Sequence, residues 1–188
     1  MAIAELLWNH PDVITAIISI VVSLTAIIYT KYSIGLQREH NRKSMTPLPW
    51  IKLGDYDSEI YVILENHGVG PMIILRVSVF KSNDRSIVEK DIFTWMPPLK
   101  EPWEDYVSEF KDRSVRPGYE IPMIILKEEN FKNGNFKTVR ETIRKTLSEL
   151  TVEIEYTDVY GSPFNSYKRD LKWFDRKMPK EIIAALST

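Results

Sequence analysis

The 188-residue chain contains no cysteine and only three histidines, His10, His40 and His67. Without a thiol there is no disulfide framework, no thiolate metal ligand and no cysteine nucleophile. The histidines lie in separate parts of the sequence, and no pair has metal-ligand spacing. The sequence also lacks a phosphate-binding loop, a dinucleotide fingerprint and a nucleophile elbow. These absences predict a protein that is not an enzyme and holds no cofactor or metal.

An excess of charge of one sign is missing too, since 25 Lys and Arg balance 26 Asp and Glu. From Thr46 onward there are 21 basic and 23 acidic residues, so this part of the chain is slightly acidic. Nucleic-acid binding needs a concentrated positive surface. General nucleic-acid binding is therefore not expected.

Charge is absent altogether from Val13–Thr30, eighteen positions that read VITAIISIVVSLTAIIYT. As a helix this run covers about 27 Å, close to the roughly 30 Å hydrocarbon core of a bilayer. The preceding residues carry Glu5 and Asp12 but no Lys or Arg, which argues against a cleaved signal peptide. The run predicts a transmembrane helix at 13–30, with residues 1–12 as a short segment on the outer face.

Basic residues follow the apolar run, and none precedes it. We expect the helix to continue through Asn41 in a basic stalk at 31–46 and to end before Pro47. By the positive-inside rule, the N-terminus lies outside and the domain at 47–188 lies in the cytoplasm. The cations of the stalk are Lys31, Arg38, Arg42 and Lys43.

Small residues recur along one side of the predicted span, within an arc of about 80° at 100° per residue. Such a stripe lets two helix backbones approach closely, and hydroxyl groups can bond across the contact. The pattern predicts self-association in the membrane; the alternative is that the hydroxyls bond only to their own helix. The residues are Thr15, Ser19, Ser23, Ala26 and Thr30.

After the stalk, runs of β-branched and aromatic residues predict strands. They are Trp50–Leu53, Glu59–Glu65, Met72–Lys81, Tyr119–Lys127, Thr151–Val159 and Phe164–Trp173. Pro122 indicates an edge or a bulge in its strand. Helical pieces are expected at Trp103–Phe110, at about Phe136–Glu149 and at Lys180–Leu186. The prediction is a transmembrane helix plus a mainly-β soluble domain, an antiparallel sandwich or partly open barrel with one or two short helices.

Two turns separate predicted strands. The first contains Asn66, Gly68, Gly70 and Pro71, and its glycines permit positive φ. The second, at residues 160–163, predicts a hairpin, in which Asp158 is expected to bond backbone groups of the turn rather than a ligand.

With these turns the chain resembles a broad set of poorly characterised bacterial membrane-anchored proteins. They share an N-terminal span, a Ser-x-x-Pro-like element at the end of the stalk and a Leu-x-Asn-x-Gly-x-Gly-Pro turn, here Ser44–Pro47 and Leu64–Pro71. A late Tyr-x-Asp-x-Tyr-Gly hairpin corresponds to Tyr156–Gly161, whereas Met72 departs from the small residue expected there. The resemblance implies the bacterial inner (plasma) membrane. Some proteins of this build look like effectors of antiviral defence, in which a nucleotide messenger or protein partner assembles the soluble domains and the spans damage the membrane.

Basic residues near the C-terminal end of the sequence form the remaining candidate site, for an anionic ligand or anionic lipid. They are Lys168, Arg169, Lys172 and Arg176. A second basic group lies on the predicted helix and consists of Lys137, Arg140, Arg144 and Lys145. The alternative for both groups is a solvated face with interleaved acids. Asp55-x-Asp57-x-Glu59 lacks the glycine and terminal glutamate of a calcium loop and is expected to be a solvated turn.

The sequence as a whole predicts a membrane-anchored binding or sensing module that self-associates through its span. Its expected partners are the lipid bilayer, a second copy of the chain, and a nucleotide or a protein in the cytoplasm. Two alternatives stay open. The first is a membrane-disrupting effector of antiviral defence, activated by a nucleotide messenger or partner, and the second is a small structural subunit of a membrane complex.

Overall fold

The computed structural model describes residues 11–131 and 134–176. The chain divides into two compact units, Met1–Ser44 and Met45–Thr188. The predicted helix at Lys180–Leu186 and most of the predicted outer segment at 1–12 lie outside the described residues.

The first unit contains helix α1, Pro11–Ser44, which includes the whole predicted span. The helix ends before Pro47, as predicted, and runs three residues beyond Asn41. It is long and apolar enough to cross a membrane, by length and composition, although a signal sequence near the N-terminus would meet the same criteria.

The second unit contains two antiparallel sheets that are not closed into a barrel. The strands are β1 Pro49–Asp55, β2 Glu59–Asn66, β3 Met72–Lys81, β4 Asp84–Glu89, β5 Asp105–Tyr106, β6 Ser114–Val115, β7 Glu120–Lys127, β8 Leu150–Thr157 and β9 Tyr167–Asp170. One sheet has the order β1-β2-β7-β5 and the other β4-β3-β8-β9, with β6 paired to β3. Helix α2, Phe136–Ser148, lies between β7 and β8 in the chain.

Both sheets contribute side chains to one hydrophobic core. In β2 the alternate residues Ile60, Val62 and Leu64 are fully buried, and Ile63, Glu65 and Asn66 of the same strand are buried as well. Val152 and Ile154 of β8 are buried in the same cluster. Each fully buried aliphatic side chain contributes about 1.5–3 kcal/mol to folding. Two open antiparallel sheets that share one core agree with the predicted mainly-β domain.

Pro122 lies where the sequence predicted an irregular strand. The pairing of β2 with β7 shifts register between Val62 and Ile63, and Ile63 pairs with Pro122. On its other side β7 is paired with β5 only at Ile124 and Ile125. Because proline has no N–H to donate, it is tolerated beside this bulge and away from the paired stretch.

The predicted helix at Trp103–Phe110 is wrong. Its apolar residues have helical spacing, but the segment contains the short strand β5 instead. The ring of Tyr106 stacks on Phe93 at 4.1 Å between centroids, and Trp103 meets Phe93 edge-on at 5.9 Å. Packing against a distant aromatic residue and pairing with β7 override the local pattern.

A buried ion pair attaches α2 to the end of β1. The side chain of Asp55 is 4% exposed, and Arg140 Nε donates to its Oδ1 at 2.7 Å. Arg144 Nε lies 3.1 Å from Asp55 Oδ2 without hydrogen-bond alignment, while Arg144 Nη2 donates to the carbonyls of Phe174 and Arg176 at 3.2 and 2.9 Å. These arginines therefore have structural partners, and the expectation of a solvated turn is wrong for Asp55.

Replacing Asp55 tests this attachment. Asp55→Ala leaves two largely buried arginines without their carboxylate and should lower the free energy of unfolding by about 3–5 kcal/mol. Asp57→Ala is the matched control because that carboxylate is 94% exposed and lies 3.4 Å from Arg140. Urea unfolding of the full chain in detergent measures both variants. Equal losses in the two would contradict the role given to Asp55.

Candidate functional site at the Asn66 turn

The side-chain amide of Asn66 is the most completely bonded buried polar group near the predicted turn. Asn66 is 0% exposed, and its Nδ2 donates to the carbonyls of Gly70 at 2.8 Å and Val115 at 2.9 Å. Its Oδ1 accepts from the N–H groups of Leu48 at 3.1 Å and Gly68 at 3.0 Å. Both donor hydrogens and both acceptor positions of the amide are therefore used.

The chain that follows α1 lies along this turn. His67 N–H donates to the carbonyl of Leu48 at 2.8 Å, and Val69 N–H donates to the carbonyl of Thr46 at 3.2 Å. With the Asn66 contact to Leu48 N–H, three hydrogen bonds hold Thr46–Leu48 against the turn. The first residues of the domain are thus bonded to the turn rather than forming a free linker.

Gly68 and Gly70 are needed for close approach. A Cβ on Gly68 would lie 2.4 Å from the Thr46 carbonyl oxygen, and one on Gly70 would lie 1.8 Å from that of Met45. Both distances are far below van der Waals contact. Neither glycine has positive φ, in contrast to Gly161 at 69°. The sequence-based reason for these two glycines, positive φ, is therefore wrong, and the reason is space for the neighbouring backbone.

A charged and aromatic cluster covers one side of the turn. The carboxylate of Glu65 lies 2.5 Å from His67 Nε2 and 3.0 Å from Lys52 Nζ. The ring of Trp50 stacks on His67 at 5.9 Å, and the guanidinium of Arg169 lies 5.2 Å from the Trp50 ring centroid. Arg169, predicted as a ligand contact, is thus placed on β1 by a cation–π interaction.

The ionisation of this cluster follows from its contacts. Burial raises the pKa of Glu65, but hydrogen bonds from His67 and Lys52 outweigh it and leave that pKa below its ordinary value. Hydrogen bonds to Glu65 and Glu120 raise the pKa of Lys52 above its usual range. Glu65 and Lys52 are therefore ionised together at neutral pH.

The other predicted basic residues have separate neighbours. Lys168 Nζ lies 3.8 Å from Glu153 and 5.7 Å from the Phe80 ring centroid. The guanidinium of Arg176 lies 3.5 Å from the ring centroid of Trp173. The structure therefore does not gather these residues around one ligand position.

Lys172 lines an open groove of about 510 Å³. Lys81 and Lys145 also line it, and four carboxylates accompany the three ammonium groups. These are Asp84, Glu149, Asp170 and Asp175. The charge of the groove does not favour a purely anionic ligand.

Asp158 bonds the turn that follows β8, as predicted. It is 1% exposed, and its Oδ1 accepts from the N–H groups of Tyr160 at 2.8 Å and Ser162 at 2.9 Å. Its Oδ2 accepts from the Ser162 hydroxyl at 2.6 Å. Its role is to close the loop.

Three hydroxyl groups of the α1 stripe donate within their own helix. Ser19 Oγ donates to the Thr15 carbonyl at 2.8 Å, Ser23 Oγ to that of Ser19 at 2.7 Å, and Thr30 Oγ1 to that of Ala26 at 2.7 Å. The hydroxyl protons are thus in use. Contact between two such helices would depend mainly on the space that the small side chains leave.

Sequence reasoning missed Leu48 and Val115, the distant partners of Asn66, because no local pattern relates them to residue 66. It also missed the pair of Lys52 and Glu65. These two side chains have opposite charges and lie on consecutive predicted strands, at diagonal positions of the β1–β2 pairing, which was a usable signal.

Comparisons of the chain with protein-family models, with curated proteins and with solved structures give no match. Among residues 11–131 and 134–176, no group of three His, Asp or Glu side chains is arranged to hold a metal ion.

Removing the Asn66 amide should destabilise the domain strongly. Asn66→Ala leaves two N–H and two carbonyl groups without their partner, each costing about 1–3 kcal/mol when buried. We expect a loss of at least about 3 kcal/mol, measured by thermal and urea unfolding of the full chain in detergent. Asn165→Ala, at an exposed loop position, is the control and should change stability by less than about 0.5 kcal/mol. An Asn66→Ala protein as stable as this control would rule out the assigned role.

The lowered pKa of Glu65 predicts a specific pH dependence. A carboxyl group with a depressed folded-state pKa stabilises the fold above its unfolded-state value, and this stabilisation is lost as pH falls through the folded-state pKa. Stability should therefore decline below the ordinary value of 4.5. Glu65→Gln should show a smaller decline, and Lys52→Met an intermediate one. Urea titrations between pH 3 and 6 measure the slopes, and identical slopes in wild type and Glu65→Gln would refute the assignment.

Proposed function

We propose that the protein is a single-pass membrane-anchored binding or sensing module that self-associates through α1 and binds a partner on its cytoplasmic side. The length and apolar composition of α1 support the anchor. The cations that follow the apolar run support an outside N-terminus and a cytoplasmic domain in a bacterial inner membrane. They are Lys31, Arg38, Arg42 and Lys43.

The observation that carries this proposal is the bonded state of the chain immediately after α1. The helix ends at Ser44, and the Met45 carbonyl already lies against Gly70. Thr46 and Leu48 are hydrogen-bonded to the same turn. The domain thus begins directly after the end of α1 in the chain. A partner that assembles the domains would therefore also bring together the α1 helices that precede them.

The partner that suits the domain best is a protein. The predicted basic residues contact Glu153, Trp50 and Trp173 rather than one shared position. The groove beside Lys172 carries acids and lysines together. A protein surface with both charges complements such a groove better than a phosphate-rich nucleotide does.

Self-association rests on the stripe of small residues in α1. The hydroxyl protons of Ser19, Ser23 and Thr30 are bonded to carbonyls of their own helix, so these residues supply close approach rather than new hydrogen bonds. Larger side chains on this side should therefore separate the helices.

Leucine substitutions in the stripe test this step. Ser19→Leu with Ser23→Leu should lower dimerisation several-fold in a membrane reporter assay, because each leucine side chain holds the two helix backbones farther apart. Thr25→Leu is the matched control, since its hydroxyl likewise donates to its own helix, at the Val21 carbonyl, but lies off the stripe. Unchanged association in the double variant, or an equal loss in the control, would contradict the proposal.

The membrane potential of cells that produce the chain distinguishes the proposed module from a membrane-disrupting effector. A tether leaves the membrane potential unchanged whether or not the domains are assembled, whereas an effector depolarises the cell when its activator is present. A structural subunit would instead co-purify with a fixed set of membrane proteins, independently of the stripe. Native mass measured with and without nucleotides then separates a nucleotide ligand from a protein partner.

A further inference from the structure

Strand β4 is an edge of the second sheet. It pairs with β3 on one side, and the sheet order places no described strand beyond it. Ile87 and Val88 are 58% and 47% exposed. A register shift between Phe80 and Lys81 leaves Arg85–Ile87 without counterparts on β3. An exposed edge strand with branched apolar side chains is a template for pairing with another strand.

The sequence of this edge is complementary to itself. The strand and the residue that follows it read Asp-Arg-Ser-Ile-Val-Glu-Lys. When two copies pair antiparallel about Ile87, Asp84 of each copy lies opposite Lys90 of the other. Arg85 likewise lies opposite Glu89. All four charged residues then face an opposite charge, which is the favourable cross-strand arrangement.

Neighbouring registers lose this match. A slip of one residue places Asp84 opposite Glu89 or, in the other direction, Arg85 opposite Lys90. Like charges directly opposite each other are destabilising, so the charge pattern selects one register. In that register Arg85, Ile87 and Glu89 share a face, and two ion pairs flank an Ile87–Ile87 contact.

From this pattern we infer that β4 pairs with β4 of a second copy of the chain, in a two-fold antiparallel contact centred on Ile87. The charges of β4 already have partners, which the pairing would have to exchange. Arg85 donates to the carboxylate of Glu153, which is 11% exposed, and its guanidinium lies 4.6 Å from the Phe80 ring centroid. Lys90 pairs with Glu109 at 2.8 Å with both side chains at least 60% exposed. Such exposed pairs contribute little to stability and can be exchanged. The contact belongs to the domain and is independent of the proposed association through α1.

Cysteine cross-linking in the full chain tests the axis of the contact. The chain has no native cysteine, so each variant carries a single thiol. Ile87→Cys places two thiols directly opposite each other, with Cβ atoms about 4.5–5.5 Å apart, close to disulfide geometry. Asp84→Cys is the control because the two copies of residue 84 would lie about 20 Å apart. Mild oxidation of membranes containing each variant should give a disulfide-linked dimer for Ile87→Cys only.

Charge exchange tests the register. In the Ile87→Cys background, Asp84→Lys places like charges at both symmetry-related pairs and should weaken the dimer about tenfold. Adding Lys90→Asp restores opposite charges and should restore the cross-link. If Asp84→Lys acted only by impairing folding, the second substitution would not restore it. Equal cross-linking at positions 84 and 87, no cross-link at 87, or failure of the exchange to restore it would each overturn the inference.

A final pair of variants separates this contact from the membrane stripe. Ser19→Leu with Ser23→Leu, introduced into the Ile87→Cys chain and into the Asp84→Cys chain, should lower the cross-link only through the local concentration of chains. The preference for position 87 over 84 should stay unchanged. Loss of that preference would mean that collisions driven by α1, rather than pairing of β4, produce the cross-link.

Discussion

The buried amide of Asn66 is the interaction on which the arrangement of the domain's first residues depends. It joins the stretch after α1, the turn between β2 and β3, and strand β6 by bonds to Leu48, Gly70 and Val115. A buried amide is tolerated only when its donors and acceptors are satisfied, and here all are. Gly68 and Gly70 make the contact sterically feasible because any side chain there would overlap the Thr46 or Met45 backbone.

Strand β1, which follows Leu48, is held at its far end by a different kind of contact. β1 begins next to Leu48 and ends at Asp55, which is bonded to Arg140 of α2. The first strand after α1 is thus fixed at one end by an amide network and at the other by a buried ion pair. The strand nearest α1 in sequence is therefore tied firmly into its own domain.

Most of the basic residues that the sequence offered as candidate contacts for an anionic ligand have partners within the domain. Lys168 lies near Glu153 and Phe80, Arg169 lies over Trp50, and Arg144 donates to carbonyls of the segment after β9. Their long side chains cover apolar rings while their charges find acceptors, so they stabilise the fold. The proposed contacts between copies of the chain lie elsewhere, on the small residues of α1 and on the edge strand β4.

Local patterns in the sequence were sufficient for the apolar helix, for six strands at or near their observed positions and for the helix at Phe136–Ser148. They predicted that Asn66, Gly68 and Gly70 form a turn and that Asp158 bonds backbone groups. They failed at Trp103–Phe110, where helical spacing of apolar residues was overridden by packing on Phe93, and at β4, whose charged composition has low strand propensity.

Periodicity and turn chemistry act over a few residues, and the sequence by itself therefore determined most of the helices and strands, including the long apolar helix. The contacts of the site join residues far apart in the chain. Asn66 meets Val115 across 49 positions, and Arg140 meets Asp55 across 85. Such contacts exist only when two sheets and a helix are packed around one core. For this reason, the tertiary structure alone decided which polar residues hold the domain together and which lie on the exposed edge strand β4.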